Sequence, residues 1–497
     1  IITESGLGAS GIPHIGSLAD AVRSFAITLG VQELGFQSKT IAYSDDLDGL
    51  RKIPDGFPKK LEKYLLHPVS LIPDYYKCHD SYGKHMTSLL TGALDDLNIE
   101  YEPKSAFTVY DKGELSYHID KILRNSSIIG KKIEDITGQS KFKNILPYFP
   151  ICKKCGKMYT AESSNYDTKT MKVIYTCNSI TINNINFEGC KYQGEADIRR
   201  ADGKLSWKVE FASRWALQNV KFEAYGKDIA DSVKINDWIS KNIFDFDPPI
   251  HVMYEMFLDT EGSKISKSKG NVFTPQKWLK YGSSDSLILF MLKRFTSTRK
   301  ISYDLPQKTM LELDRLLDVY HKQKSVSNDK DFIKIKGLLE YVYKLDSVPE
   351  RQIPFGLILS LSSAAPKDNQ TSFINSRLLN YGYDEEQIQK SQHKMIYAIN
   401  WVQDFGIYKE NKIQLQENEI LGINILIKKL LKVETSDQIQ HIIYESSKES
   451  NIKLKKFFPI LYNILIGRNE GPRIGPLIND LGIERVIDML KSSCKQK

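Results

Sequence analysis

Up to about residue 305, short apolar runs alternate with helix-spaced stretches. After a strand-like start, Leu18, Val22, Phe25, Ala26 and Leu29 recur at helical spacing. Lys39-Thr40-Ile41-Ala42-Tyr43 has the pattern of a buried strand, and Leu115, Ile119, Ile122 and Leu123 form one apolar helix face. Trp207 to Phe211, Phe222 to Gly226 and His251 to Leu258 read as three further strands. Helices are predicted from Trp278 and Leu279, after Pro275, and over Leu287 to Leu292. Strands alternating with helices predict an α/β domain. Beyond about 305, glycine thins and long helical patterns follow, as in Ile413 to Leu431 and Ile452 to Leu465. Gly471-Pro472-Arg473-Ile474-Gly475-Pro476-Leu477 leads into a helix near the end.

The 497 residues allow two to four domains, and a hydrophobic content of 41% allows sizeable cores. No run of eighteen apolar residues predicts a membrane span. Six cysteines do not suggest a disulfide framework, and no signal peptide is visible, so the expected setting is cytoplasmic. A net charge of +8 suits a partner with a phosphate backbone without requiring one. The chain starts without Met inside its first predicted strand, which predicts a preceding leader segment.

Four stretches carry candidate chemistry. Glu4 to Ser17 is a glycine-rich turn between a strand and a helix N-terminus, a natural phosphate site to which His14 adds a donor. Gly16 would let a flat base or ribose approach the backbone. A plain strand–helix turn with a surface histidine is the alternative. Ser44-Asp45-Asp46-Leu47-Asp48 sets carboxylates at a strand end, where open α/β sheets bind ligands; a solvated acidic turn is equally compatible. Gly226-Lys227-Asp228 is a candidate ribose site, which Trp215 either walls or lies beneath as core. Lys264, Lys267 and Lys269, between glycines 262 and 270, suit a cationic loop closing over a polyphosphate.

Two groups of cysteines invite a metal reading. Cys152-Lys153-Lys154-Cys155, then Cys177 and Cys190, read as a four-thiolate zinc site, with reduced structural cysteines as the alternative. Such a site would fold a small lobe and leave no open catalytic position. Cys78-His79 and His85 are discounted as a metal site or nucleophile, because adjacent helical side chains diverge; a helix with a buried Cys78 is expected. Lys428-Lys429 and Lys453 to Lys456 suit helix faces or nucleic-acid contacts.

Glu4 to Gly16 and Lys264 to Asn271, about 250 residues apart, resemble the paired HIGH and KMSKS signatures of class I aminoacyl-tRNA synthetases. Ser17 stands for the second His and Ile265 for Met. With Tyr43 to Pro54, Cys78 to Tyr82, the cysteine insertion, Trp207 to Asp228, Tyr254-Glu255 and Gly471 to Leu477, the chain resembles archaeal-type class I lysyl-tRNA synthetases over nearly its whole length.

The resemblance implies a Rossmann catalytic domain in two halves, 1–100 and 206–260, split by a connective insertion, 101–205, with a zinc lobe at about 148–200. A KMSKS-type loop and stem-contact region (261–305) and an α-helical anticodon-binding cage (306–497) follow. ATP is expected at Gly8, Gly11, His14, Gly16, Gly226, Asp228, Lys264 and Lys267, and lysine at Gly6, Gly8, Asp20, Asp46 and Trp215. His14, Lys264 and Lys267 would stabilise charge while the lysine carboxylate attacks the α-phosphate, with Mg²⁺ on the phosphates. The 2′-OH of tRNA-Lys would then take the lysyl group. Expected cofactors are ATP, Mg²⁺ and structural Zn²⁺, and a monomer with no membrane contact is expected. Departures from the family are Ile229 where many members have His, Asp20 where Glu is usual, and Asp231-Ser232-Val233-Lys234 in place of a Gly-Ser-Tyr run. A glutamyl-type synthetase, an inactive tRNA-binding paralogue and a small-molecule nucleotidyltransferase are the competing readings.

Overall fold

The computed structural model describes residues 1–182, 184–259, 261–262, 273–321, 328–350, 352–406, 414–466 and 469–494. The chain forms two compact units. The first holds Ile1–Gln276 and Met291–Ser302, and the second holds Lys277–Phe290 and the chain from Tyr303.

The first unit is built on five strands: β1 (Ile2–Leu7), β2 (Lys39–Ser44), β3 (Glu102–Ser105), β4 (Val220–Gly226) and β5 (Ile250–Tyr254). Their order is β5-β4-β1-β2-β3, with every neighbouring pair parallel. Parallel pairing needs crossovers that cover the sheet. The crossovers include α1 (Ile15–Glu33), α2 (Tyr82–Asp96), α3 (Trp207–Gln218) and α4 (Ala230–Ile243). On α1, Leu18, Val22, Phe25, Ala26 and Leu29 are buried, and each large side chain contributes about 1.5–3 kcal/mol by leaving water. The helix ends at Leu34, before Gly35 at φ +85°. The strand order reverses about β1, so ligands are expected outside the carboxyl ends of β1 and β4.

Three expectations change here. Trp207 to Phe211 is the start of α3 and not a strand. Ser206 caps it by accepting from Lys208 N, and Val209, Ala212, Ser213 and Trp215 are buried at helical spacing. The alternation of Trp207, Val209 and Phe211 imitated a strand because the window was too short to separate the two periods. Glu102–Ser105 pairs with β2 as the sheet's edge, so the insertion begins after 105 and not at 101. The predicted strand through Leu258 breaks after Tyr254, and Phe257–Leu258 pairs with Arg299–Lys300.

The insertion starts with helices whose Leu115, Ile119, Ile122 and Leu123 are buried, as predicted. It then forms a three-stranded antiparallel sheet of Ala161–Asp167, Lys172–Cys177 and Gln193–Asp197. Tyr148–Pro150 pairs antiparallel with Gly203–Leu205, so the lobe leaves and returns through one narrow neck.

The second unit is helical. Glu417–Leu430 and Leu454–Ile466 match the predicted long patterns, and Ile474–Leu481 follows the Gly-Pro-Arg-Ile-Gly-Pro-Leu stretch. Its core includes Phe355, Leu357, Ile423, Leu426, Phe457 and Leu477. Residues Lys277–Phe290 belong to this unit, so the expected 261–305 region is divided between the two. Lys429 is paired with Glu445 and Glu449, each at 2.6 Å, which makes it part of a helix face.

Candidate active site and metal centres

The glycine-rich turn leaves β1 at the carboxyl edge of the sheet. Gly6 and Gly8 are exposed there, and Gly11 is buried. His14 is the N-cap of α1, with Nδ1 accepting from Ser17 N at 3.3 Å. That bond leaves Nε2 to carry the proton of the neutral ring, which suits donation to a phosphate oxygen. A Cβ on Gly16 would lie 2.8 Å from the His14 ring. Gly16 thus makes room for the imidazole, where the sequence had suggested room for a base or ribose.

Asp228 follows β4 in the short turn Lys227–Ile229 and is exposed. A Cβ on Gly226 would meet Asp228 Oδ1 at 2.9 Å and Tyr254 Oη at 3.4 Å, so the glycine lets both groups gather over the strand end. Ile229 is half-buried, and Asp231 to Lys234 lie in the first turns of α4.

The three expected lysine-pocket side chains have different surroundings. Asp20 lies on α1 with its side chain 20% exposed and Oδ1 3.5 Å from Arg23 Nη1. Burial raises its carboxyl to about 7 despite Arg23, with the Tyr254 hydroxyl facing it as a hydrogen-bond donor. Asp46 accepts from Ser105 Oγ at 2.6 Å and Phe107 N at 2.8 Å, so both oxygens fasten β2 to the start of the insertion. Trp215 is fully buried in the core, with Nε1 donating to Glu223 Oε2 at 2.5 Å, and so cannot wall a pocket. Lys264 and Lys267 lie outside the described residues.

A chain of buried charges under β1 and β4 had no sequence signal. Arg214 Nη2 lies 2.7 Å from Glu4 Oε1 and 3.2 Å from Glu223 Oε1. Lys204 Nζ pairs with Asp45 and, at 3.2 Å, with Glu210 Oε2. Burial raises Glu4 and Glu210 to about 7, against the pull of Arg214 and Lys204 respectively.

Beside the glycine-rich turn, Ser10, Gly11, Asp48, Gly49, Arg51 and Trp207 line a cavity of about 230 Å³. Arg51 donates to Asp48 Oδ2 at 3.0 Å and stacks its guanidinium at 5.1 Å from Tyr159 and 5.3 Å from Trp207. The Tyr159 hydroxyl bonds Asp48 and accepts from Gly49 N at 3.1 Å, tying the cysteine lobe to the acidic loop. Trp207, 38% exposed, lines this cavity, and Trp215 takes the core alternative.

Cys152, Cys155, Cys177 and Cys190 converge, with all four sulfurs within 4.8 Å of one another. The Cys152–Cys190 and Cys155–Cys177 separations are 3.6 and 3.7 Å. A tetrahedron with Zn–S arms of 2.3 Å requires about 3.8 Å, whereas a disulfide requires about 2.05 Å. The donor set fits a closed zinc site.

A second group corrects the reading of Cys78. This residue is exposed and lies before α2, whose N-cap is Ser81. Asp74 accepts from the backbone of Tyr76, Cys78 and His79, and Lys77 takes φ +59°. The resulting turn brings Asp74, Cys78, His79 and His85 together, with their ligand atoms also within 4.8 Å. Cys78 Sγ lies 3.1 Å from His79 Nδ1, 3.2 Å from His85 Nδ1 and 3.3 Å from Asp74 Oδ2. Divergence on a helix was the wrong premise, because only His85 is helical.

Residues 1–338 match the family described as tRNA synthetases class I (K). A protein named lysine–tRNA ligase from Cenarchaeum symbiosum is 43% identical over 99% of this chain and 94% of its own length. One of the same name from Rickettsia felis is 29% identical over 99% of this chain and 92% of its own. A solved glutamate tRNA ligase from Elizabethkingia meningosepticum aligns over 100% of this chain and 99% of its own, at 11% identity and a TM-score of 0.34. With a parallel sheet that places a histidine-capped helix beyond its central strand, and with a family match over more than half its length, the chain belongs to the class I (K) family of tRNA synthetases.

Proposed function

We infer that this chain is a lysine–tRNA ligase, which activates L-lysine with ATP and passes the lysyl group to the terminal adenosine of tRNA-Lys. The observation that carries this reading is 43% identity, sustained over 99% of the chain, to a protein of that name. The site's chemistry agrees with it. Asp20 and Asp228 lie near the ends of β1 and β4, where a cationic side chain needs acids.

ATP lies along the glycine-rich turn, with its ribose toward Asp228. The lysine carboxylate attacks the α-phosphate, and the phosphoryl oxygens gain charge as pyrophosphate leaves. The His14 Nε2 proton stabilises that charge, helped by Lys264 and Lys267 of the lysine-rich loop. Mg²⁺, when bound, neutralises charge on the phosphates. The tRNA 2′-OH then attacks the carbonyl carbon of the lysyl-adenylate, forming the ester as the acyl–phosphate bond breaks and AMP leaves with the hydroxyl proton. The lysine pocket is assigned to Gly6, Gly8, Asp20 and Tyr254, without Trp215 and Asp46. The four-cysteine site holds structural zinc, and the Asp74, Cys78, His79 and His85 group holds a second ion. The helical unit supplies the tRNA contacts.

Amino-acid-dependent ATP–pyrophosphate exchange across all twenty amino acids, with and without tRNA, is the test. Exchange with lysine alone is expected. Exchange with glutamate would move the chain to a glutamyl-type activity. No exchange with retained tRNA binding would make it an inactive binding protein.

A further inference from the structure

Arg23 is 1% exposed, one of the largest fully buried side chains in the molecule, and it lies one helical turn from Asp20. Its Nε donates to Phe295 O at 2.8 Å. Its guanidinium carbon stands 4.1 Å from the Tyr254 ring centroid and 5.5 Å from that of Phe295. Two rings and a carbonyl therefore fix the cation from three sides. Its reach to Asp20, 3.5 Å from Nη1 to Oδ1, is an ion pair without a hydrogen bond, and neither atom has a hydrogen-bond partner. A bidentate Arg–carboxylate fork would have consumed the acid's lone pairs; this offset pairing does not.

We propose that Arg23 is a positioning residue for substrate lysine: clamped by Tyr254 and Phe295, it favours the charged form of the Asp20 carboxylate that receives the substrate's ε-ammonium.

The surroundings require such a cation. Asp20 faces Arg23 on its own helix, the Tyr254 hydroxyl from β5, Glu223 from β4 and Asp228 from the turn after it. Behind Arg23 stands Arg299, with Arg294 beside it. Burial and the two neighbouring acids all favour a protonated Asp20, and a neutral acid gives an ammonium little reason to leave water. Arg23 opposes all three. A lysine at this position would lose the planar face that stacks on Tyr254 and the Nε donor that Phe295 holds.

The proposal rests on lysine as the substrate, so wild-type exchange is measured first. Absence of lysine-dependent exchange would count against the function, and every outcome below presupposes its presence. KM for lysine and KM for ATP are measured between pH 6 and 8.5 for wild type, Arg23→Met, Arg23→Gln and Arg23→Lys. The ε-ammonium stays charged throughout, with an ordinary pKa near 10.4. In wild type, KM for lysine rises as pH falls below about 7, where Asp20 takes up its proton. In Arg23→Met and Arg23→Gln, Asp20 titrates at least one unit higher. Their KM for lysine at pH 7 rises about tenfold or more and recovers toward pH 8.5, while KM for ATP changes less than about threefold. Arg23→Lys restores the charge and lies between them. Equal changes in both KM values, or a loss in both uncharged variants that is independent of pH, would overturn the proposal and leave Arg23 a core residue. Two uncharged variants of different shape separate lost charge from lost packing.

Discussion

Lys204→Met tests the buried charges beneath the acidic loop. The Lys204 side chain is 1% exposed, Asp45 is 15% and Glu210 is 0%. Methionine matches the length of the stem and removes the ammonium, leaving Glu210 with the Tyr110 hydroxyl at 3.0 Å and no cation where Nζ stood. Breaking a buried pair by deleting one partner costs about 3–5 kcal/mol. Glu210, already raised to about 7 by burial, limits the loss by taking up a proton. A carboxyl whose folded pKa is raised stabilises the fold below its unfolded value and withdraws that contribution as pH rises through the folded value. The defect is therefore smallest near pH 5 and largest near pH 8. A chain of two compact units has no single unfolding free energy, so a local measurement is needed. Hydrogen exchange of the segment 203–218, followed by mass spectrometry, should accelerate by about 10²- to 10³-fold at pH 8, at one decade per 1.4 kcal/mol. Adding Glu210→Gln should recover most of that protection. Exchange within about threefold of wild type, or a double variant whose losses simply add, would refute the account of this network.

Three further outcomes are expected. His14→Ala should slow adenylate formation by about 10²–10³-fold in single-turnover exchange, as loss of a charge-stabilising donor does; an unchanged rate removes His14 from the chemistry. Gly16→Ala places a methyl 2.8 Å from the His14 ring. It should reduce the activation rate while the chain stays folded by circular dichroism, and a variant with wild-type turnover would show that the ring position is immaterial. Metal analysis should find two equivalents per chain, with Cys155→Ser and Cys78→Ser each removing one. Loss of both from Cys155→Ser alone, or a wild-type content of one, would count against two independent centres.

Parts of the fold were legible because their signals are local. The apolar face of α1 and the strand at Lys39–Ser44 each specify their outcome within a short window. Trp207 to Phe211 misled because five residues cannot distinguish a period of 2 from one of 3.6, and only the buried set through Trp215 does so. His14 was reached from the glycine-rich turn and Asp20 through the family signature, whereas Trp215 and Asp46 were placed in the pocket without knowledge of their partners. A buried indole with its N–H spent on Glu223, and a carboxylate spent on Ser105 and Phe107, are tertiary facts. Lys204 and Arg214 could not have been singled out, since a buried ammonium and a surface one look identical in a string of letters. Cys78 was missed because its cluster depends on Asp74, four residues upstream, and on a left-handed turn at Lys77.

The neck formed by Tyr148–Pro150 and Gly203–Leu205 has a consequence for how this molecule could be remodelled. Between those two short segments the chain travels outward, folds around its cysteines and comes back to almost the same point. Closing a loop costs free energy that grows only with the logarithm of its length, so lengthening or trimming the outer lobe changes little at the base. The sheet is thereby partly insulated from sequence change beyond the neck, although Tyr159, holding Asp48, and Met158 N, donating to Leu66 O, tie the lobe back to the first half. Remodelling belongs away from the hairpin Ile180–Phe187, because Ile180, Thr181 and Ile182 line one cavity with Asp48, Tyr159, Trp207 and Asp228.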